Sequence, residues 1–212
     1  MDLPAYTHID FETLDAVVRQ AGRVAAETIA PINRDADRIG AKFENGVVRL
    51  SPGFDGAWRA FCDGGWPALA LPEEYGGQAM PEIAQAAVSD MLNGASLCFS
   101  MLAVTGRAAA RVLLSHADAA TRVLYVPRLA SGEWAGTIVM TEPHAGSDIG
   151  NARTKAVPQP NGAYALTGTK IFISFGEHDA TEQICHIVLA RLEGAPEGLL
   201  DAAAYAAEIG ES

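Results

Sequence analysis

Cysteine is scarce and scattered. The three thiols, Cys62, Cys98 and Cys185, stand far apart and form no CxxC pair, which argues against a disulfide scaffold or a zinc site and points to a reducing, cytoplasmic setting. Positive charge is also short: 15 Lys and Arg against 26 Asp and Glu leave a net charge of −11. A general nucleic-acid binder needs a basic face, and none is visible. The acidity favours solubility without naming a partner, and a helix N-terminus or a single Arg or Lys could still hold an anionic ligand locally. Long apolar runs are missing. The apolar stretches are short or broken by Gly and charges, so none is expected to reach the roughly 20 residues that cross a bilayer. The opening MDLPAYTHIDFE has neither a basic nor an apolar signal-peptide region. His178 and His186, with Asp179 and Glu182 nearby, fit no zinc spacing, so no metal is expected. Ser147 is not in a GxSxG elbow, which sets a serine hydrolase aside.

What is present suits a folded protein with a sizeable core. Apolar residues make up 49% of the 212 and charged residues 19%, within the globular range. The first two-thirds reads as helix. Residues 11–32 carry Phe11, Leu14, Val17, Val18, Val24, Ala25, Ile29 and Ile32 at three- and four-residue steps, one apolar stripe, with Asp10 as N-cap. Asn45-Gly46 predicts a turn or small hairpin within 41–50. Ser51-Pro52 opens a second helix through Ala57, Trp58, Phe61 and Cys62, ended by Gly64-Gly65. A Gly- and Pro-rich loop covers 71–81. Pro81 starts a third helix whose expected buried face is Ile83, Ala84, Ala87, Val88, Met91 and Leu92. A fourth helix is expected over about 105–116 and a fifth over Ala119–Ala130, bent at Pro127. Trp58, Trp66 and Trp134 read as core or interface residues.

The character changes at Gly132. Residues 135–141, 152–158, 163–175 and 184–192 are short and β-prone, with turns between them. The expected division is a helical domain at 1–133, a partial β-domain at 134–198 and an Ala-rich helical tail at 199–212. The fold class is therefore α+β: an all-α bundle, then an incomplete antiparallel β-barrel, then a short C-terminal helix.

Two motifs carry the chemistry. MTEPHAGSDIG at 140–150 ends a strand at Met140-Thr141, breaks at Glu142-Pro143 and turns tightly through Ala145-Gly146-Ser147. Small residues there let a flat or phosphorylated ligand approach the backbone. GTKIFIS at 168–174, read as a strand, places Phe172 and Ser174 on one face and Ile171 and Ile173 on the other. An aromatic plane beside a hydroxyl suits a planar heterocycle. Taken singly, Thr141 and Ser147 are ordinary turn formers, Phe172 an ordinary core residue, and Glu142 a structural group rather than a base.

Together, in this order and separation, the two motifs resemble the acyl-CoA dehydrogenase family, whose TEP-x-AGSD turn and K-x-[WF]-I-[ST] strand hold the isoalloxazine ring of FAD. PINRDAD (31–37), GGWPALALPEEYGGQ (64–78), LASGEWAGTIVMTEP (129–143) and GEHDATEQICHIVLAR (176–191) agree, the last with longer-chain bacterial members. The resemblance implies that Ile138 to Ser147, Gly146 included, lies along the flavin. It implies that backbone near Met140 and the Thr141 hydroxyl bond the pyrimidine edge, and that Ser147 sits at the pyrophosphate or the CoA arm of the substrate. Phe172 would stack on the ring, next to Ile173, and the Ser174 hydroxyl would approach flavin N5. The implied reaction is α,β-dehydrogenation of an acyl-CoA, with electrons passed to an electron-transfer flavoprotein.

In the family the catalytic Glu follows the β-domain, so no catalytic base is expected in these 212 residues, and assembly through later helices is doubtful. A truncated or frame-shifted product is the corresponding expectation. The alternative reading is a non-catalytic remnant or interaction module with little or no flavin binding.

Overall fold

The computed structural model describes residues 6–7, 9–195 and 202–208. Asp10 caps the first helix as expected, accepting from the Thr13 amide at 2.7 Å. Helix α1 (Phe11–Val24) runs through one π turn (Ala25–Ile29) into α2 (Ala30–Ile39). Pro31 explains the widened turn: its ring would crowd the carbonyl of Glu27 in a regular helix. The buried positions are Ala21, Ala25, Ile29 and Ala36, whereas Phe11, the head of the expected stripe, is exposed. Strands β1 (Lys42–Glu44) and β2 (Val47–Arg49) form the expected hairpin. Asn45 and Gly46, both at positive φ, turn it.

Helix α3 is Phe54–Asp63, capped by Gly53 rather than by Ser51, with Pro52 in the turn before it. Helices α4 (Glu82–Ala95), α5 (Leu97–His116) and α6 (Ala119–Ser131) complete the helical unit. On α4 the inner face is Ala84, Gln85, Val88 and Leu92, and Ile83 points to solvent. Helix α5 starts eight residues before the expected 105, where Ser96 caps it by accepting from the Phe99 amide. Contrary to the sequence expectation, α5 is long and apolar enough to cross a membrane by length and composition alone. Here it buries Phe99, Leu102, Ala103, Ala109, Ala110 and Leu113 instead. Phe54, Trp58, Phe61 and Phe99 pack ring against ring at 5.3–5.9 Å. The Trp58 indole donates to the Gly132 carbonyl, tying this core to the start of the sheet.

The second part is a curled sheet of β3 (Trp134–Val139), β4 (Lys155–Pro158), β5 (Tyr164–Thr167), β6 (Gln183–Leu192) and β7 (Ala202–Glu208). The α+β class holds, but the sheet is mixed rather than antiparallel. β6 pairs in parallel with β3 and with β4, while β4–β5 and β6–β7 are antiparallel. Alternating apolar residues fix which face is buried and say nothing of strand direction. The tail is a second correction: Ala202–Glu208 is a strand in register with Arg191–Cys185, not a helix. Alanine's helix preference is under 1 kcal/mol per residue, and a strand edge offers seven residues of ladder partners. The remaining expected tail residues, 199–201 and 209–212, lie outside the described residues.

Helix α5 lies directly on β3. A Cβ at Gly136 would stand 2.6 Å from the Ala109 Cβ and 3.0 Å from the Gly106 Cα, so glycine is what permits the contact. Trp134 and Ile138 on β3, with Cys185 and Ile187 on β6, belong to this helix-facing core. The opposite face presents Val139, His186 and Val188 to a cavity inside the half-barrel, of about 510 Å³, lined also by Thr154, Leu166, Lys170 and Ile173.

Candidate functional site

The bend after β3 closes on itself. Glu142 N–H donates to Ala145 O at 3.0 Å and Ala145 N–H to Glu142 O at 3.1 Å, which throws Gly146 and Ser147 to the surface. The Glu142 carboxylate turns inward. It accepts from the Arg153 amide at 2.7 Å, the Thr154 amide at 2.9 Å and Lys170 Nζ at 2.9 Å, and His144 Nε2 lies 3.3 Å away. Burial alone would raise its pKa, but Lys170 and these amides outweigh burial and bring it down to about 2. Glu142 is thus held ionised at neutral pH by structural partners. Arg191 supports the same bend from β6, donating to the carbonyls of Ala152 and Gly150.

The second motif arrives on a loop. Residues 168–175 form no strand, because Phe172 and Phe175 take positive φ of 57° and 54°. Two left-handed residues destroy the alternation that the sequence reading relied on. The two motifs nonetheless meet. The Ile171 amide donates to the Thr141 carbonyl at 2.9 Å, and Lys170 Nζ donates to the Met140 carbonyl at 2.9 Å. Phe175 turns into the helical core against Phe54. Phe172 goes the other way and is 89% exposed. Asp179 fastens the following turn to the hairpin, accepting from the Leu50 amide at 3.0 Å and from Arg49 at 3.3 Å.

The predicted site residues therefore divide. Met140, Gly146, Ser147, Phe172 and Ser174 are exposed, and Thr141 is half-buried beside them. Ile173 lines the internal cavity, which includes neither Phe172 nor Ser174 among its lining residues. The Ile138 side chain packs toward α5 and α6, so only its backbone is available to a ligand. Glu142 and Lys170, whose ion pair joins the two segments, were not among the predicted site residues. The charge pair 28 positions apart inside two motifs was the signal that could have found them.

A helical layer packed on a curled mixed sheet defines the class: the acyl-CoA dehydrogenase fold. Butyryl-CoA dehydrogenase from Megasphaera elsdenii superposes with a TM-score of 0.76 at 19% identity, covering 95% of this chain and 50% of that one. An acyl-CoA dehydrogenase from Bacillus anthracis, solved with FAD, gives 0.75 at 20% identity over 95% of this chain and 32% of that one. The chain itself belongs to the acyl-CoA dehydrogenase family of flavin-dependent oxidoreductases: residues 12–133 match the family's N-terminal domain and residues 137–204 its middle domain. It is 41% identical over 197 residues to 3-methylmercaptopropionyl-CoA dehydrogenase of Ruegeria pomeroyi, covering 93% of this chain and 34% of the relative. It is 33% identical over 196 residues to a broad-specificity linear acyl-CoA dehydrogenase of Mycobacterium tuberculosis, covering 91% and 32%. The chain thus spans about a third of the length of these relatives.

The family implies FAD, and the residues present fit it. The hydroxyls of Thr141, Ser147 and Ser174 have no hydrogen-bond partner among the described residues. A Cβ at Gly146 would meet nothing within 4 Å, and Gly146 is not among the glycines at positive φ. The fold itself therefore does not require glycine there, and the open space is available to a ligand. Phe172 holds an aromatic face in solvent at φ 57°, a backbone conformation unfavourable for a bulky residue.

Proposed function

We propose that this chain provides the flavin-binding surface of an acyl-CoA dehydrogenase, with Met140, Thr141, Ser147, Phe172 and Ser174 as the contacts. The observation that carries the reading is the Ile171–Thr141 hydrogen bond. It joins two motifs 30 residues apart, whose Phe172 ring is exposed and whose Thr141, Ser147 and Ser174 hydroxyls have no hydrogen-bond partner among the described residues. Bound there, FAD would take up a hydride equivalent from the β-carbon of an acyl-CoA thioester. The chain's own residues position and polarise. Thr141 and the neighbouring backbone suit the hydrogen-bonding edge of the ring, Phe172 suits its face, and Ser174 offers a hydroxyl to its centre. Ser147, at the exposed end of the bend, suits a phosphate or the CoA arm.

The α-proton needs a base, and Glu142 cannot serve, since its carboxylate is saturated by Lys170 and two amides. By family resemblance the base is assigned outside the described residues. Electrons leave to an electron-transfer flavoprotein, by family resemblance. The test is a fluorescence titration of FAD into the purified chain, with an acyl-CoA turnover assay using an artificial acceptor alongside. Weak, saturable FAD binding without turnover is expected. Absence of FAD binding would remove the reading, and robust turnover would overturn the placement of the base.

A further inference from the structure

A buried charge pair lies beneath the exposed contacts and reaches one of them, Met140, only at its backbone carbonyl. Glu142 keeps 2% of its side chain exposed and Lys170 10%. Lys170 Nζ holds Met140 O and Glu142 Oε1 at once, and the next residue, Ile171, holds Thr141 O. Residues 170 and 171 are thereby fastened to residues 140, 141 and 142 with no strand pairing between them. A buried ion pair adds little net stability over apolar groups of the same shape. What it supplies is a fixed arrangement, because its partners and directions are few. Phe172 follows immediately in a left-handed conformation, which survives only if its neighbours are held in place.

We propose that the Glu142–Lys170 pair is a positioning device. It sets the Phe172 loop against the Met140–Thr141 bend, and so fixes the surface that receives the flavin. This rests on the flavin reading above. Neither residue touches the ligand in this assignment; both act through Thr141 and Phe172.

The test is amide hydrogen exchange on the whole chain, combined with FAD titration. It compares the native protein, Lys170→Arg and the double variant Glu142→Gln/Lys170→Met, in which no lone buried charge remains to unfold the protein. In the double variant the Ile171 amide should lose at least 10-fold of its protection while amides of α5 and β6 keep theirs. FAD affinity should fall by a similar factor. Lys170→Arg, which can still donate to both oxygens, should retain most of both. Unchanged Ile171 protection overturns the proposal, whether or not affinity falls. So does a loss spread evenly over α5 and β6, since that marks a purely structural pair. If the native chain binds no FAD, the functional reading fails, and the exchange result alone decides the clamp.

Discussion

Replacing Phe172 by glycine should separate stability from ligand binding. The ring is 89% exposed and the residue sits at φ +57°, so removing it forfeits almost no buried area. A non-glycine residue in the left-handed region costs on the order of 1 kcal/mol, and glycine enters that region freely. The glycine also gains freedom in the unfolded chain, which offsets part of that relief. Stability should therefore stay level or rise by up to about 1 kcal/mol, measured by urea unfolding. Affinity for FAD should move the other way. Covering one face of a phenyl ring removes on the order of 80 Å² from water, roughly 2 kcal/mol at the usual coefficient, before any stacking term. That corresponds to about a 30-fold weaker Kd, read from flavin fluorescence. A variant destabilised by more than about 1 kcal/mol, or one that binds FAD as well as the native chain, would refute the reasoning.

Two further outcomes follow from the packing and the buried titratable groups. Gly136→Val should cost about 1–3 kcal/mol in urea unfolding, because its side chain would drive into Ala109 and Gly106 on α5; a neutral result would mean that the α5–β3 contact is looser than described. His178 has its pKa pushed down to about 4, chiefly by burial, with Asp179 opposing and His186 reinforcing the shift, and its Nδ1 accepts from the Ala180 amide, which requires a neutral ring. The unfolded chain takes up this proton near pH 6.5 and the folded chain only near pH 4. The associated stability, about 3 kcal/mol, is therefore complete above pH 6.5 and lost as pH falls toward 4. His186, also lowered by burial, adds in the same direction. His178→Gln should flatten its share of the loss between pH 7 and 4.5, and an unaltered pH dependence would show that His178 is not the group responsible.

Much of the helical unit was legible because its signals are local. Asp10 with the Thr13 amide, and Asn45-Gly46 at positive φ, are decided within a few residues. The start of α5 was missed because Ser96 follows α4 directly and shares its apolar run. The sheet was harder. Where strands lie followed from composition, but the parallel pairing of β6 with β3 depends on a crossover that periodicity does not encode. The Ala202–Glu208 strand is a partner's edge overriding local propensity. At the site, the two motifs do meet, but not by the strand alternation expected of them. Phe172 and Ser174 reach the surface through left-handed turns rather than strand alternation, and the Glu142–Lys170 pair that sets them there joins residues distant in sequence.

The decisive measurement is an amide chemical-shift map of the full chain titrated with FAD. The exposed rim should respond, with Met140, Thr141, Ser147, Phe172 and Ser174 shifting, while His186, Val188 and Leu166 inside the half-barrel cavity stay still. Shifts centred on those cavity residues, with the rim unmoved, would contradict the assignment.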